Sequence, residues 1–307
     1  MRTWHVSSLV LLPLLLASAV SATGLLSIEG AASNNNATTG NDFANSAAIG
    51  PIIDSAQTLN GAPPGTGSEI ETVFASANYG ILGVSAGGQV VGPVSVSALG
   101  ASGNAFASFS DNLTIMAPGL AGMIGSVRVV FGLASFVSVD GGVGSGCSGS
   151  AQVSYGVVAS LSGGGGSGSS NQSGTWTDYP CFNTHTFSGT PPGIFSLTAP
   201  VLFGSPAQLS VNLSALSNES WLDFASGSAT AEGDFAHTLT WGGFTEVRDA
   251  QGNLVTNYSV TSDSGTDWSK PAPEPATAVL VATGLIALGA SRPVRANRRN
   301  AQTPHWK

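Results

Sequence analysis

From Glu69 onward, apolar and polar residues alternate along the chain with a period of two. Val94, Val96 and Ala98 are interleaved with Ser95 and Ser97, Val127, Val129 and Phe131 with Arg128 and Val130, and Leu209, Val211 and Leu213 with Ser210 and Asn212. Phe235, His237, Leu239 and Trp241 share one side of a further run, with Ala236, Thr238 and Thr240 on the other. Successive side chains of a strand point to opposite faces, so this pattern predicts half-buried strands with one wet side. Breaks at Pro118-Gly119, Gly141-Gly142, Gly163 to Gly168, Pro191-Pro192-Gly193 and Pro206 have the spacing of sandwich strands. The segment Glu246 to Val255 reads as a hairpin whose Gly252 or Asn253 takes a positive φ. No long 3.6-residue period occurs between the two end segments. The pattern therefore predicts an all-β fold, a jelly-roll-like β-sandwich over residues 69–268. Residues 23–68, which include the polar run Ser33-Asn-Asn-Asn-Ala-Thr-Thr-Gly40, read as a low-complexity arm, and Ser162 to Ser173 as a floppy loop.

The two ends carry a different pattern. Arg2 opens the chain, Val10 to Leu16 is apolar, and Val20 and Ala22 are small residues placed for cleavage, so residues 1–22 read as a secretory signal peptide. At the other end, the Pro-rich linker 269–275 leads into Ala276 to Ser291, which is uncharged and rich in Ala, Leu and Val. As a helix, residues 276–291 would measure about 24 Å, short against a hydrocarbon core of about 30 Å and suited to a transient anchor. Arg292, Arg295, Arg298 and Arg299 follow within the basic tail 292–307, and positive residues of this kind stop transfer and stay in the cytoplasm.

The triplet Pro273, Glu274 and Pro275, the apolar helix and the arginines together resemble the PEP-CTERM sorting signal of Gram-negative bacteria. The resemblance implies an exported protein handled by the secretion machinery and then by an exosortase, a membrane transpeptidase-like cysteine enzyme. It also implies a passing stay at the inner membrane, release or transfer to the cell surface, and association with extracellular polysaccharide. The run Trp241 to Trp268, with its Asp-Ala-Gln-Gly-Asn-Leu turn, looks like the last hairpin of many such exported proteins, which implies that the domain ends shortly before the sorting tail.

Composition narrows the function further. Only 8% of the residues are charged, and between Thr23 and Pro271 three cations, Arg128, Arg248 and Lys270, face sixteen of the seventeen acids. A nucleic acid would be repelled by such a body. The even cysteine pair, Cys147 and Cys181, favours one disulfide in an oxidising compartment, contributing roughly 3–4 kcal/mol by chain entropy. His185, four residues from Cys181, forms neither a catalytic dyad with it nor a four-ligand zinc set. His237 lies on an apolar strand face, as core histidines do. Gly144 to Gly149 and Gly163 to Ser170 offer serines among glycines, yet no helix follows to make a nucleophile elbow or a phosphate loop.

Carboxylates remain. Glu69 and Glu71 share one strand face, and Asp223, Glu232 and Asp234 lie around a turn. Paired acids serve glycoside hydrolysis or bind calcium, but no Asp-x-Asp-x-Asp-Gly spacing occurs, and acids on strand exteriors are ordinarily solvated. No catalytic residue, cofactor or metal ligand is assigned, and calcium is left without a site. The favoured function is a non-enzymatic surface or extracellular-matrix protein, structural or adhesive. The alternatives are a carbohydrate-binding, lectin-like module stacking sugars on Trp176, Tyr179 and Trp221, and a secreted hydrolase.

Overall fold

The computed structural model of the chain describes residues 24–34, 41–48, 50–61, 67–92, 99–142, 149–179, 184–221 and 227–272. Strands and no helix form among them, in two antiparallel sheets packed as a β-sandwich. Sheet A runs in the order β11 (Thr184–Gly189), β10 (Gly166–Tyr179), β9 (Gly149–Gly163), β13 (Pro206–Trp221), β6 (Leu99–Met116), β1 (Leu25–Asn34) and β2 (Asn41–Ala47). The short β15 (Ser259–Ser262) pairs with β6 where β1 leaves it. Sheet B runs β12 (Ile194–Leu202), β7 (Ile124–Leu133), β14 (Gly227–Arg248), β5 (Ile81–Gly92), β4 (Ser68–Asn78) and β3 (Ile52–Gly61), with β8 (Phe136–Asp140) also against β14.

The alternation in the sequence becomes the core. Val127, Val129 and Phe131 of β7 point inward with Leu209, Val211 and Leu213 of β13 and Phe235, Leu239 and Trp241 of β14, all buried. The expected hairpin at residues 246–255 forms, and the positive φ falls at Gly252. Its turn is held by the Asn253 and Gln251 N–H groups, which donate to Asp249 Oδ1.

Two expectations are corrected. Residues 23–68 are not a loose arm, because β1, β2 and β3 lie within them. Leu26, Ile28 and Ala32 of β1 are buried in the core, and β1 pairs with β6 along ten residues. The sandwich therefore begins at β1 and not at Glu69. Nor is Ser162 to Ser173 a floppy loop. It is the tight end of the β9–β10 hairpin, where Gly163 faces Gly166 across a two-residue turn and the serines continue as paired strand. Glycine makes so short a turn possible, Gly166 having a φ of +127°.

The C-terminal end of the sandwich is fastened by aromatic rings. Trp268 is fully buried, 5.0 Å from the Trp241 ring and 5.4 Å from that of Phe109. Its indole N–H donates to Asp111 Oδ2 at 2.7 Å, and its carbonyl accepts the Trp241 indole N–H at 3.0 Å. The backbone N–H of Ala272 then donates to the Trp241 carbonyl at 2.9 Å. The signal-peptide reading (1–22), the sorting triplet, the anchor helix and its arginines, Cys147, Cys181 and Asp223 all lie outside the described residues. No helix among the described residues is long and apolar enough to cross a membrane.

Candidate functional site

The carboxylates that the sequence offered for chemistry separate into two groups on opposite sides of sheet B. Glu69 and Glu71 are not on a wet strand exterior. They alternate in phase with Val73 and Ala75 and are both 0% exposed. Across the interior, Glu219 of β13, in phase with Leu213 and Ala215, is 2% exposed and joins them.

Room for these side chains comes from glycine. A β-carbon at Gly88 would lie 2.2 Å from Glu71 Oε2 and 3.0 Å from Glu219 Oε2. One at Gly103 would lie 2.2 Å from Glu71 Oε1. Ser217 donates to Glu71 Oε1 at 2.6 Å, and the Gly100 N–H donates to Glu69 Oε1 at 2.9 Å. Among the described residues no hydrogen bond of good geometry reaches Glu71 Oε2, Glu69 Oε2 or either Glu219 oxygen. The Glu71 and Glu219 carboxyls interact across the interior, and the charge of Glu71 disfavours ionisation of Glu219. Burial pushes Glu71 up to about 7, and burial together with the Glu71 charge pushes Glu219 up to about 10. The pair is a buried carboxyl couple, and no ion pair engages either member among the described residues.

On the opposite side of sheet B the neighbouring glycine does the converse. Gly87 points outward, directly opposite Thr72 of β4 and Glu232 of β14. Its missing side chain opens a hollow of about 600 Å³ on the outer face. Glu232 and Asp234, two apart on β14, stand along one wall, with Thr230 beside them and Phe74 and Ile70 on the far side. They lie on a strand and not around a turn. Ser138 of β8 also lines the hollow, and Phe136, two residues before it and opposite Asp234 in register, is 59% exposed. Among the described residues no group of three or more His, Cys, Asp or Glu is arranged to hold a metal ion.

The remaining candidates are dispersed. Trp221 is 1% exposed and cannot be a sugar platform; it packs in a small core cluster with Val90, Leu99, Ala101 and Ala229. The Trp176 ring packs against those of Phe187 and Tyr155, and only Tyr179 is exposed, at 44%. His185 Nδ1 lies 3.0 Å from Oδ1 of the buried Asp178, its register partner across the β10–β11 hairpin. Asp178 also accepts the Gly141 N–H at 2.7 Å. No serine or threonine hydroxyl among the described residues is hydrogen-bonded to His185. The His237 side chain lies outside the described ones.

Sequence reasoning missed Glu219 and the Asp178–His185 pair. The signal for Glu219 was its parity with Leu213 and Ala215. The signal for the second pair was absent, since it depends on the β10–β11 register. Comparisons of the chain with family models, characterised proteins and solved structures gave no match.

Proposed function

We propose that this is a non-enzymatic exported surface or matrix protein, structural or adhesive, sorted through its Pro273–Glu274–Pro275 tail and associated with extracellular polysaccharide. In this reading the sandwich is of jelly-roll type, Cys147 and Cys181 form its disulfide, and an exosortase acts on the triplet. The supporting observation is the clasp at the end of the fold. Trp268 is locked in the core and Ala272 is still hydrogen-bonded to Trp241, so the triplet follows directly on residues fastened to the sandwich. An extended, proline-set segment next to a rigid body is a favourable substrate for an enzyme that grips backbone.

Against a hydrolase built on the Glu71–Glu219 couple stands the position of those two carboxylates. Glycoside hydrolysis needs both acids at a substrate-filled cleft, whereas Glu71 and Glu219 are sealed between the sheets. The test is mass spectrometry of the surface-released protein. A C-terminus near Pro275, with no peptide from Val279 to Lys307, is the expected result. Recovery of those tail peptides from the released form would sink the sorting reading.

A further inference from the structure

We propose that the hollow over Gly87 on the outer face of sheet B is a binding site for a neutral saccharide chain. The inference rests on the exported-surface reading only for where the ligand would be met; the site itself is argued from its geometry.

The hollow is built, and is not a gap between loops. Its floor is the backbone of β5 at Ala86 to Gly88, and its walls are side chains of β4 and β14, both paired with a strand on each side. A β-carbon at Gly87 would sit 3.0 Å from the Ala231 carbonyl oxygen and 3.1 Å from Glu232 Cα, so even alanine would crowd it. At about 600 Å³ it falls within the ~300–1,000 Å³ range of ligand clefts.

The chemistry of the walls selects the ligand. Glu232 and Asp234 are acceptors, and no ion pair engages either among the described residues. Asp234 Oδ1 accepts the Ala236 N–H at 2.8 Å, which fixes that carboxylate in place. Thr72, Ser85, Thr230 and Gln89 add groups that both donate and accept. Phe74 supplies apolar surface within the hollow, and the exposed ring of Phe136, opposite Asp234 in register, offers more next to that wall. A sugar ring has the matching layout, with hydroxyls around its edge to donate to carboxylates and an apolar C–H face to lie against a phenyl ring. A uronic-acid or sulfated chain is disfavoured, because two carboxylates in a strongly acidic body repel it. A metal ion is disfavoured by the lack of a third ligand.

The experiment is titration of the purified protein with neutral β-glucan oligosaccharides, beside an alginate oligomer and an oligolysine peptide. Saturable binding of a neutral oligosaccharide is expected. E232A and D234A should each weaken it about tenfold, the loss of a hydrogen bond to a charged acceptor. F136A should weaken it as well. E232Q, which keeps an acceptor, should weaken it less than E232A. S108A on β6, in sheet A, is the control and should leave affinity unchanged. All four residues are at least partly exposed in the strands that carry them, and thermal unfolding checks that each variant folds.

The assignment is overturned by no saturable binding of any neutral oligosaccharide, by binding that survives the E232A/D234A double variant, or by preference for the alginate or the peptide. These results are separable from the sorting test. A trimmed C-terminus with no sugar binding leaves the exported protein standing without this site, and sugar binding by an untrimmed protein does the reverse.

Discussion

The two ends of the sandwich interior are equally buried and are held in opposite ways. At one end Phe109, Phe131, Trp241 and Trp268 fill the space between the sheets with rings 5.0–5.4 Å apart. Toward the other end Glu69 and Glu71 of β4 and Glu219 of β13 fill that space with carboxyls, capped by the small apolar cluster around Trp221. Burial stabilises the first arrangement, because apolar surface leaves water. The second is tolerated only while the couple carries a proton, because a desolvated carboxylate with no cation is costly. A low exposure therefore says where a side chain is and not which way it contributes.

The largest expected effect breaks the aromatic end. W268A removes a fully buried indole and leaves Asp111 without its 2.7 Å donor, and should cost about 3–5 kcal/mol in denaturant unfolding. A loss below about 1 kcal/mol would mean that the clasp is not part of the folded unit.

The next sharpens the carboxyl end. Both folded-state values are raised above the usual 4.5, so the folded protein holds protons that the unfolded chain releases. The stability this provides is complete below about pH 4.5 and is lost as pH rises through 7 and then 10. Each retained proton contributes a slope of up to about 1.4 kcal/mol per pH unit. Unfolding midpoints measured from pH 5 to 9 should fall steadily. In E219Q, where the amide donates to Glu71 without titrating, the slope should drop to about half below pH 7 and nearly vanish above it. A flat profile in the unsubstituted protein would show that the couple is not buried as described.

The smallest effect probes the same end from β3. Thr58 sits opposite Glu71 in register, is 3% exposed, and its hydroxyl has no partner. T58V removes an unsatisfied buried hydroxyl and should raise stability by at most about 1 kcal/mol. A loss of that size or more would reveal a hydrogen bond to the carboxyls.

How far the sequence revealed this molecule depended on side-chain size and on what parity was allowed to mean. Val127, Val129, Phe131, Leu209, Val211 and Leu213 are large and alternate cleanly, and their strands were legible. β1 was not, although Leu26, Ile28 and Ala32 also alternate. Gly30 occupies an inward position between them, and Phe43 supplies the bulk there, so the run resembles low complexity. The burial of Glu69 and Glu71 was legible in their phase with Val73 and Ala75. The expectation that carboxylates are solvated outweighed the period, and the period was the better guide. The hollow was not legible, because it needs Gly87 between Thr72 and Glu232, a register that hydrophobic pattern alone does not set across strands this distant in sequence.

The clasp at Trp268 also determines how the molecule would carry a mechanical load. A tether attached beyond Ala272 pulls first on the Ala272–Trp241 hydrogen bond, which belongs to sheet B, and then on the Trp268 indole, which is bonded to Asp111 in sheet A. Force entering from the tail is thereby divided between the two layers and does not peel a single edge strand one hydrogen bond at a time. To yield, the domain must draw out a whole indole ring against both sheets at once. A protein held to a surface by that end would have its strongest rivet at the point of attachment.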